Sequence, residues 1–185
     1  MKKFILIIFS TTIIFTCSKK EKPYLISKDS IGNLTKTSMI KDLNQIFKND
    51  SIRKEISGDS FAGKPNNIMI LDNKGNELLE ITPFENLDEN SKIKEIKIIH
   101  PKFKTEKGIN SKSVFKDIIL NYEISKIDNS INNLIVSVNS LNIWFTIDKK
   151  QLSAELRFKP LSFEYNKLHI PDNAKINNLY LHWIN

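Results

Sequence analysis

One cysteine, five glycines, three histidines and two arginines are spread over 185 residues, and each scarcity excludes something. With Cys17 alone there is no disulfide framework and no Cys-x-x-Cys zinc or redox motif. So few glycines leave no phosphate-cradling loop, no dinucleotide fingerprint and no Gly-x-Ser-x-Gly elbow. His100, His169 and His182 are not spaced with a carboxylate or another histidine as a metal site requires, so neither a metal nor another cofactor is expected. Arg53 and Arg157 are the only arginines, which makes the formal net charge of +7 almost entirely lysine. Readout of bases and phosphates leans on the arginine fork, so nucleic acid is not an expected partner. A lysine-rich surface suits anionic lipid headgroups or acidic polysaccharide instead. A hydrophobic content of 40% argues against disorder, and the length fits one ordinary domain with a real core.

A long apolar run is also missing. Spanning a bilayer takes about 20 apolar residues, whereas the stretch from Phe4 to Phe15 is interrupted at Ser10, Thr11 and Thr12 and then meets Cys17, Ser18, Lys19 and Lys20. Lys2 and Lys3 before it complete the pattern of a charged n-region and short h-region, so residues 1–16 are expected to be a signal peptide. The junction Ile14-Phe15-Thr16-Cys17 resembles the lipobox of bacterial lipoproteins, with an aliphatic residue at minus three and a small one at minus one. That resemblance implies cleavage before Cys17, lipidation of its thiol and anchoring of the mature chain to a membrane. Each buried methylene contributes about 0.8 kcal/mol, so several acyl chains hold permanently. Lipidation also disposes of an unpaired thiol in an exported protein. Ser18 differs from the aspartate that marks inner-membrane retention in enterobacterial lipoproteins, which points to the outer membrane. Residues 17–30 are expected to be a tether.

The remaining chain, 31–185, carries an internal similarity. Ser38-Met39-Ile40-Lys41-Asp42-Leu43 aligns with Ser113-Val114-Phe115-Lys116-Asp117-Ile118 at a shift of 75. Asn66 to Ile70 aligns with Asn132 to Val136 at a shift of 66, and Glu89 to Ile93 with Asp172 to Ile176 at a shift of 83. Three blocks in the same order predict two copies, about 31–100 and 107–185. The first has an extra loop containing Gly58, Gly63 and Pro65; the second has an insertion before its last strand.

Each copy reads as helix, strand, strand, strand. Met39, Ile40, Leu43, Ile46 and Phe47 fall on one helical face, as do Val114, Phe115, Ile118, Ile119 and Tyr122. Ser38 and Ser113 stand where a helix cap would accept an orphan N–H, and Asp42 and Asp117 sit early enough to favour the positive helix end. Hairpins are predicted for Ile68 to Leu71 with Leu78 to Ile81, and for Leu134 to Val138 with Ile143 to Ile147; last strands follow at Ile93 to Ile99 and Asn178 to Ile184. The fold class is therefore α+β: two tandem helix-strand-strand-strand repeats forming antiparallel sheet with helices packed on one face. Phe158, Phe163, Tyr165 and Leu168 in the insertion are expected to cover an edge or end of the core.

Chemistry is sparse. His100 and His182 fall in corresponding last strands, where a satisfied structural histidine is the ordinary role. Glu85, Asp88 and Glu89 form an acidic loop without the alternate spacing and glycine of a calcium hand. Trp144, Phe145, Tyr180 and Trp183 lie on predicted strands and are expected in the core; on an exposed face they would bind a sugar or a partner. Lys107 to Ser113 and Ile170 to Ile176 resemble segments of uncharacterised lipoproteins common in Bacteroidota, which implies the same compartment and one small α+β domain. The repeated unit is loosely similar in topology to duplicated periplasmic modules such as β-lactamase inhibitor-like domains. The function expected is a membrane-anchored envelope lipoprotein, a noncatalytic binding or assembly module with an envelope protein as partner. The alternative is a tethered hydrolase or metal-dependent enzyme whose site assembles only in the fold.

Overall fold

Apolar residues at every second position drive most of this chain into one large sheet. A computed structural model describes residues 23–54 and 66–183; the leader, Cys17 and the Gly58 to Pro65 loop lie outside them. In chain order the elements are β1 (Leu25–Ile26), β2 (Ser30–Ile31), β3 (Leu34–Thr35), α1 (Leu43–Ile46), β4 (Ser51–Lys54), β5 (Ile68–Leu71), β6 (Glu77–Pro83), β7 (Ile93–Ile98), β8 (Lys104–Thr105), α2 (Phe115–Asn121), β9 (Lys126–Asn129), β10 (Asn133–Val138), β11 (Ile143–Asp148), α3 (Ala154–Arg157) and β12 (Asn178–His182). The fold is α+β, mostly strand with few and short helices.

Eight strands form a wholly antiparallel sheet in the order β4-β5-β6-β7-β12-β11-β10-β9. The two ends mirror each other about the central β7–β12 pair, where Leu181 faces Ile96. Leu79 faces Ile98, Leu179 faces Phe145, and Val136 faces Phe145 from the other side. All of these are buried, which makes one sheet face continuous and apolar. Leu43 of α1 and Phe115 and Ile118 of α2 belong to the same core cluster, together with Ile26, Ile31 and Leu34. A small four-stranded sheet, β3-β2-β1-β8, closes one end and contains a parallel pair, β1 with β8.

The same backbone bonds recur in the two halves. Ile40 N–H donates to Ser91 O at 3.0 Å and Phe115 N–H to Ala174 O at 2.8 Å; Lys41 N–H donates to Glu89 O and Lys116 N–H to Asp172 O, each at 2.9 Å. Isolated bridges join Met39 to Lys92 and Val114 to Lys175.

Several expectations need correction. Each half contributes four strands to the large sheet, not three: β4 and β9 form its edges. The folded part starts before residue 31, because Ile26 is buried in β1 and the Lys28 carbonyl accepts Trp183 Nε1–H at 3.1 Å. The first helix is only a 3-10 turn, Ile40–Asp42, running into the single turn of α1. Ser38 and Ser113 do not cap these helices. Their hydroxyls face upstream and accept the N–H of Thr35 at 3.1 Å and of Asn110 at 3.2 Å, closing tight turns. Capping runs through the aspartates, whose carboxylates accept the N–H of Met39 at 2.8 Å and of Val114 at 2.9 Å. Asp117→Ala should therefore cost about 1 kcal/mol in urea denaturation, as loss of a helix-start hydrogen bond does, whereas Asp117→Asn, which keeps an acceptor, should cost less than half as much.

The insertion between β11 and β12 also departs from expectation. Tyr165 is buried and donates its hydroxyl proton to Leu156 O at 2.6 Å, but Phe158 and Leu168 are 82% and 86% exposed. The anchor is Asn129, whose amide donates to the carbonyls of Pro160, Leu161 and Phe163 and straps the insertion to edge strand β9.

Candidate functional site

Strand alternation sends every second side chain of the large sheet away from the core. Along one register row these are Met69, Glu80, Lys97, Tyr180, Trp144 and Ser137, with Thr82, Glu95 and His182 in the next row. Most are partly exposed. Their hydrogen bonds and ring contacts run to one another or to Asn67 beside β5, and among the described residues none runs to a second layer.

The centre of this face is an aromatic pair. Trp144 and Tyr180, opposite each other on β11 and β12, stack with centroids 3.9 Å apart and planes 11° from parallel. Trp144 Nε1–H donates to Glu95 Oε2 at 3.1 Å, and His182 Nδ1 lies 3.3 Å from the same oxygen. On the other side Lys97 pairs with Glu80 at 3.6 Å. Asn67 donates its amide to Glu80 and accepts the Thr82 hydroxyl proton at 3.0 Å. The result is two interlocked sets of polar and aromatic groups, set side by side by the Tyr180–Lys97 and Thr82–Glu95 register pairs.

Burial pushes the Tyr180 phenol up, and the carboxylates of Glu95 and Glu80 push it the same way, because a phenolate would meet both less solvent and like charge. The unfolded chain releases this proton near the ordinary value of 10.0, the folded chain later. Stability is thus intact below that pH and falls as pH rises through it and above. Urea midpoints at pH 9 and 11, run side by side, should drop less for Tyr180→Phe than for the wild type; an equal drop would remove Tyr180 from the account.

The histidines are separate. His100 lies in the turn after β7, not in a strand, and its Nδ1 accepts Lys102 N–H at 3.1 Å; His169 Nδ1 accepts Asn166 N–H at 3.1 Å beside Phe163 and Tyr165. Among the described residues only His182 meets a carboxylate. That contact sits on the open sheet face, and no hydroxyl nucleophile is hydrogen-bonded to the imidazole among the described residues. Among the described residues no three His, Cys, Asp or Glu side chains converge as a metal site. Of the acidic loop, Glu89 is paired with Lys54 and Asp88 accepts Asn90 N–H at 2.8 Å. Of the four strand aromatics, Phe145 and Trp183 are in the core, while Trp144 and Tyr180 stand on the opposite face. Cys17 lies outside the described residues.

Glu95, Lys97, Glu80 and Asn67 were not singled out by their sequence context. Parity would have placed Glu95 and Lys97 together, since Ile96 and Ile98 alternate with them. The contact of Glu95 with His182 spans 87 positions and depends on the β7–β12 pairing.

Among the described residues no helix is long and apolar enough to cross a membrane. No protein-family model matches the chain, and no curated protein matches it. Among solved structures the chain is similar to the uncharacterized protein YfeY from Escherichia coli, at 12% identity and a TM-score of 0.49, over 85% of this chain and 98% of that one.

Proposed function

We propose that this chain is a noncatalytic envelope lipoprotein, anchored through lipidated Cys17 to the outer membrane, that binds another envelope protein through the open face of its large sheet. The observation that carries the reading is the ordered face itself. An eight-stranded sheet buries one side and presents on the other a stacked Trp144–Tyr180 pair flanked by charges of both signs. Aromatic groups with a polar tip, rigidly held and ringed by charge, are what protein interfaces favour.

The sheet edges are the poorer candidates. β4 and β9 are four residues each and carry Arg53, Lys54, Lys126 and Asp128, the short, charged edges that discourage strand addition. The paired bonds of Ile40 with Ser91 and Phe115 with Ala174 support a further part of the reading, that the two halves descend from a tandem duplication and that their helix-plus-four-strand units pair across β7 and β12. Anchoring near a partner raises its effective concentration, so the face need supply only modest affinity.

The test uses the chain's lack of other thiols. In Ser137→Cys, directly opposite Trp144 on the open face and with Cys17 acylated, a maleimide should label the purified protein readily and the protein in intact envelopes at least several-fold more slowly. Lys112→Cys, at an exposed position in the turn before α2 and away from that face, should label equally in both. Equal labelling of Ser137→Cys in both settings would contradict a partner on the open face.

A further inference from the structure

At the far end of the β10–β11 hairpin, the insertion leaves a cavity of about 580 Å³ whose lining includes Asn132, Asp148, Lys149, Lys150, Arg157 and Phe158. Lys149 is 5% exposed, yet among the described residues its ammonium has no hydrogen-bond or carboxylate partner. The nearest compensation is the Tyr165 ring, 5.8 Å from Nζ to centroid. The stem of Lys149 is packed away while the residue lines the cavity, and a ring at that distance engages a cation only weakly, so the ammonium keeps donors for a ligand.

The neighbouring groups add to the imbalance. Arg157 Nη2 donates to Lys150 O at 2.8 Å and to Leu152 O at 3.3 Å, which fixes the guanidinium against the cavity wall. Its Nε is buried without an acceptor. Asp148 is the one carboxylate in the lining, and its Oδ1 already accepts Lys150 N–H at 2.8 Å. Three cations against one anion leave the cavity short by two negative charges and short of acceptors. Phe158, 82% exposed at the rim, offers an apolar surface beside the charged interior.

We propose that this cavity binds an organic phosphate monoester. A phosphate dianion matches the charge deficit, its oxygens accept from lysine and arginine donors together, and the cavity has room for the carbon group, which would lie against Phe158. The site is separate from the open sheet face and does not depend on the reading of that face or on acylation of Cys17. The ester group is either a soluble metabolite or a lipid headgroup, and the two differ in what they carry next to Phe158.

Calorimetric titration of the purified mature protein in nonionic detergent tests this with two probes, phenyl phosphate and the short-chain lipid dihexanoyl phosphatidate. Binding of either that weakens at least tenfold in Lys149→Met, and several-fold in Lys150→Ala at its exposed position, supports the site; the tighter of the two probes names the source. Lys149→Met retains the side-chain length and the packing of the stem, so its melting temperature without ligand should stay close to that of the wild type. Absence of binding by both probes at millimolar concentration, equal affinity in wild type and Lys149→Met, or benzoate binding as tightly as phenyl phosphate would overturn the assignment.

Discussion

Phe145→Ala should destabilise the protein by about 3–5 kcal/mol, whereas Trp144→Ala, one residue away, should cost only about 1–2 kcal/mol. The contrast follows from strand parity. Phe145 is fully buried between Val136 of β10 and Leu179 of β12, at the middle of the apolar face where the sheet cannot collapse onto a cavity. Its loss combines the transfer of the ring to water with the void left behind. Trp144 points the other way, keeps part of its surface in water, and loses on truncation its stack with Tyr180 and its bond to Glu95. Urea denaturation with tryptophan fluorescence separates the two, because Trp183 remains as a core reporter in both variants. Equal losses, or a larger loss for Trp144→Ala, would mean that the assignment of faces is inverted.

The second large effect is at Gly32. Its φ is +57°, and an added Cβ would lie 2.3 Å from the carbonyl oxygen of Pro23. Two costs therefore combine, a left-handed backbone for an L residue and displacement of the backbone that leads into β1. Together they should reach about 2–4 kcal/mol. Gly108 has a φ of +84° but no atom within 4 Å of the added carbon, so Gly108→Ala should carry only the conformational part, about 1 kcal/mol. The difference also has a local signature. Gly32→Ala should loosen β1 and the turn after it, whose Lys28 carbonyl holds Trp183, and limited proteolysis should cut the segment around residues 23–33 sooner than in Gly108→Ala.

How much of this was legible depended on the length of each signal. The hairpins β5–β6 and β10–β11 announced themselves because four or five apolar and β-branched residues stand on either side of Asn-rich turns. The edge strands did not, because Ser51–Lys54 and Lys126–Asn129 carry charge at the positions where alternation would have shown. Two-residue strands such as β1 and β8 leave no periodicity at all; they exist because Ile26 and Thr105 are buried by the tertiary fold. In the insertion, the apolar Phe158 and Leu168 suggested a covering role that four-residue α3 and its flanking turns are too short to deliver.

The site was legible in part. Trp144 and Tyr180 drew notice as aromatics, and their exposure on a shared face was recoverable from alternation with Phe145 and with Leu179 and Leu181. Their partners were not, since Glu95 reaches them only through pairings that close across the centre of the sheet. The cavity beside Lys149 was equally hidden: a lysine in a Lys-Lys-Gln turn reads as solvated, and only the tertiary fold buries most of its side chain.

Membrane anchoring through Cys17 is the claim on which the functional reading turns, and it is tested most directly by intact mass and membrane fractionation of wild type and Cys17→Ala in a Gram-negative host. The account predicts that the wild type lacks residues 1–16, gains the mass of several acyl chains and sediments with outer membrane, and that Cys17→Ala does none of these. Two unacylated, soluble proteins of equal behaviour would contradict it and return Cys17 to the status of a free thiol.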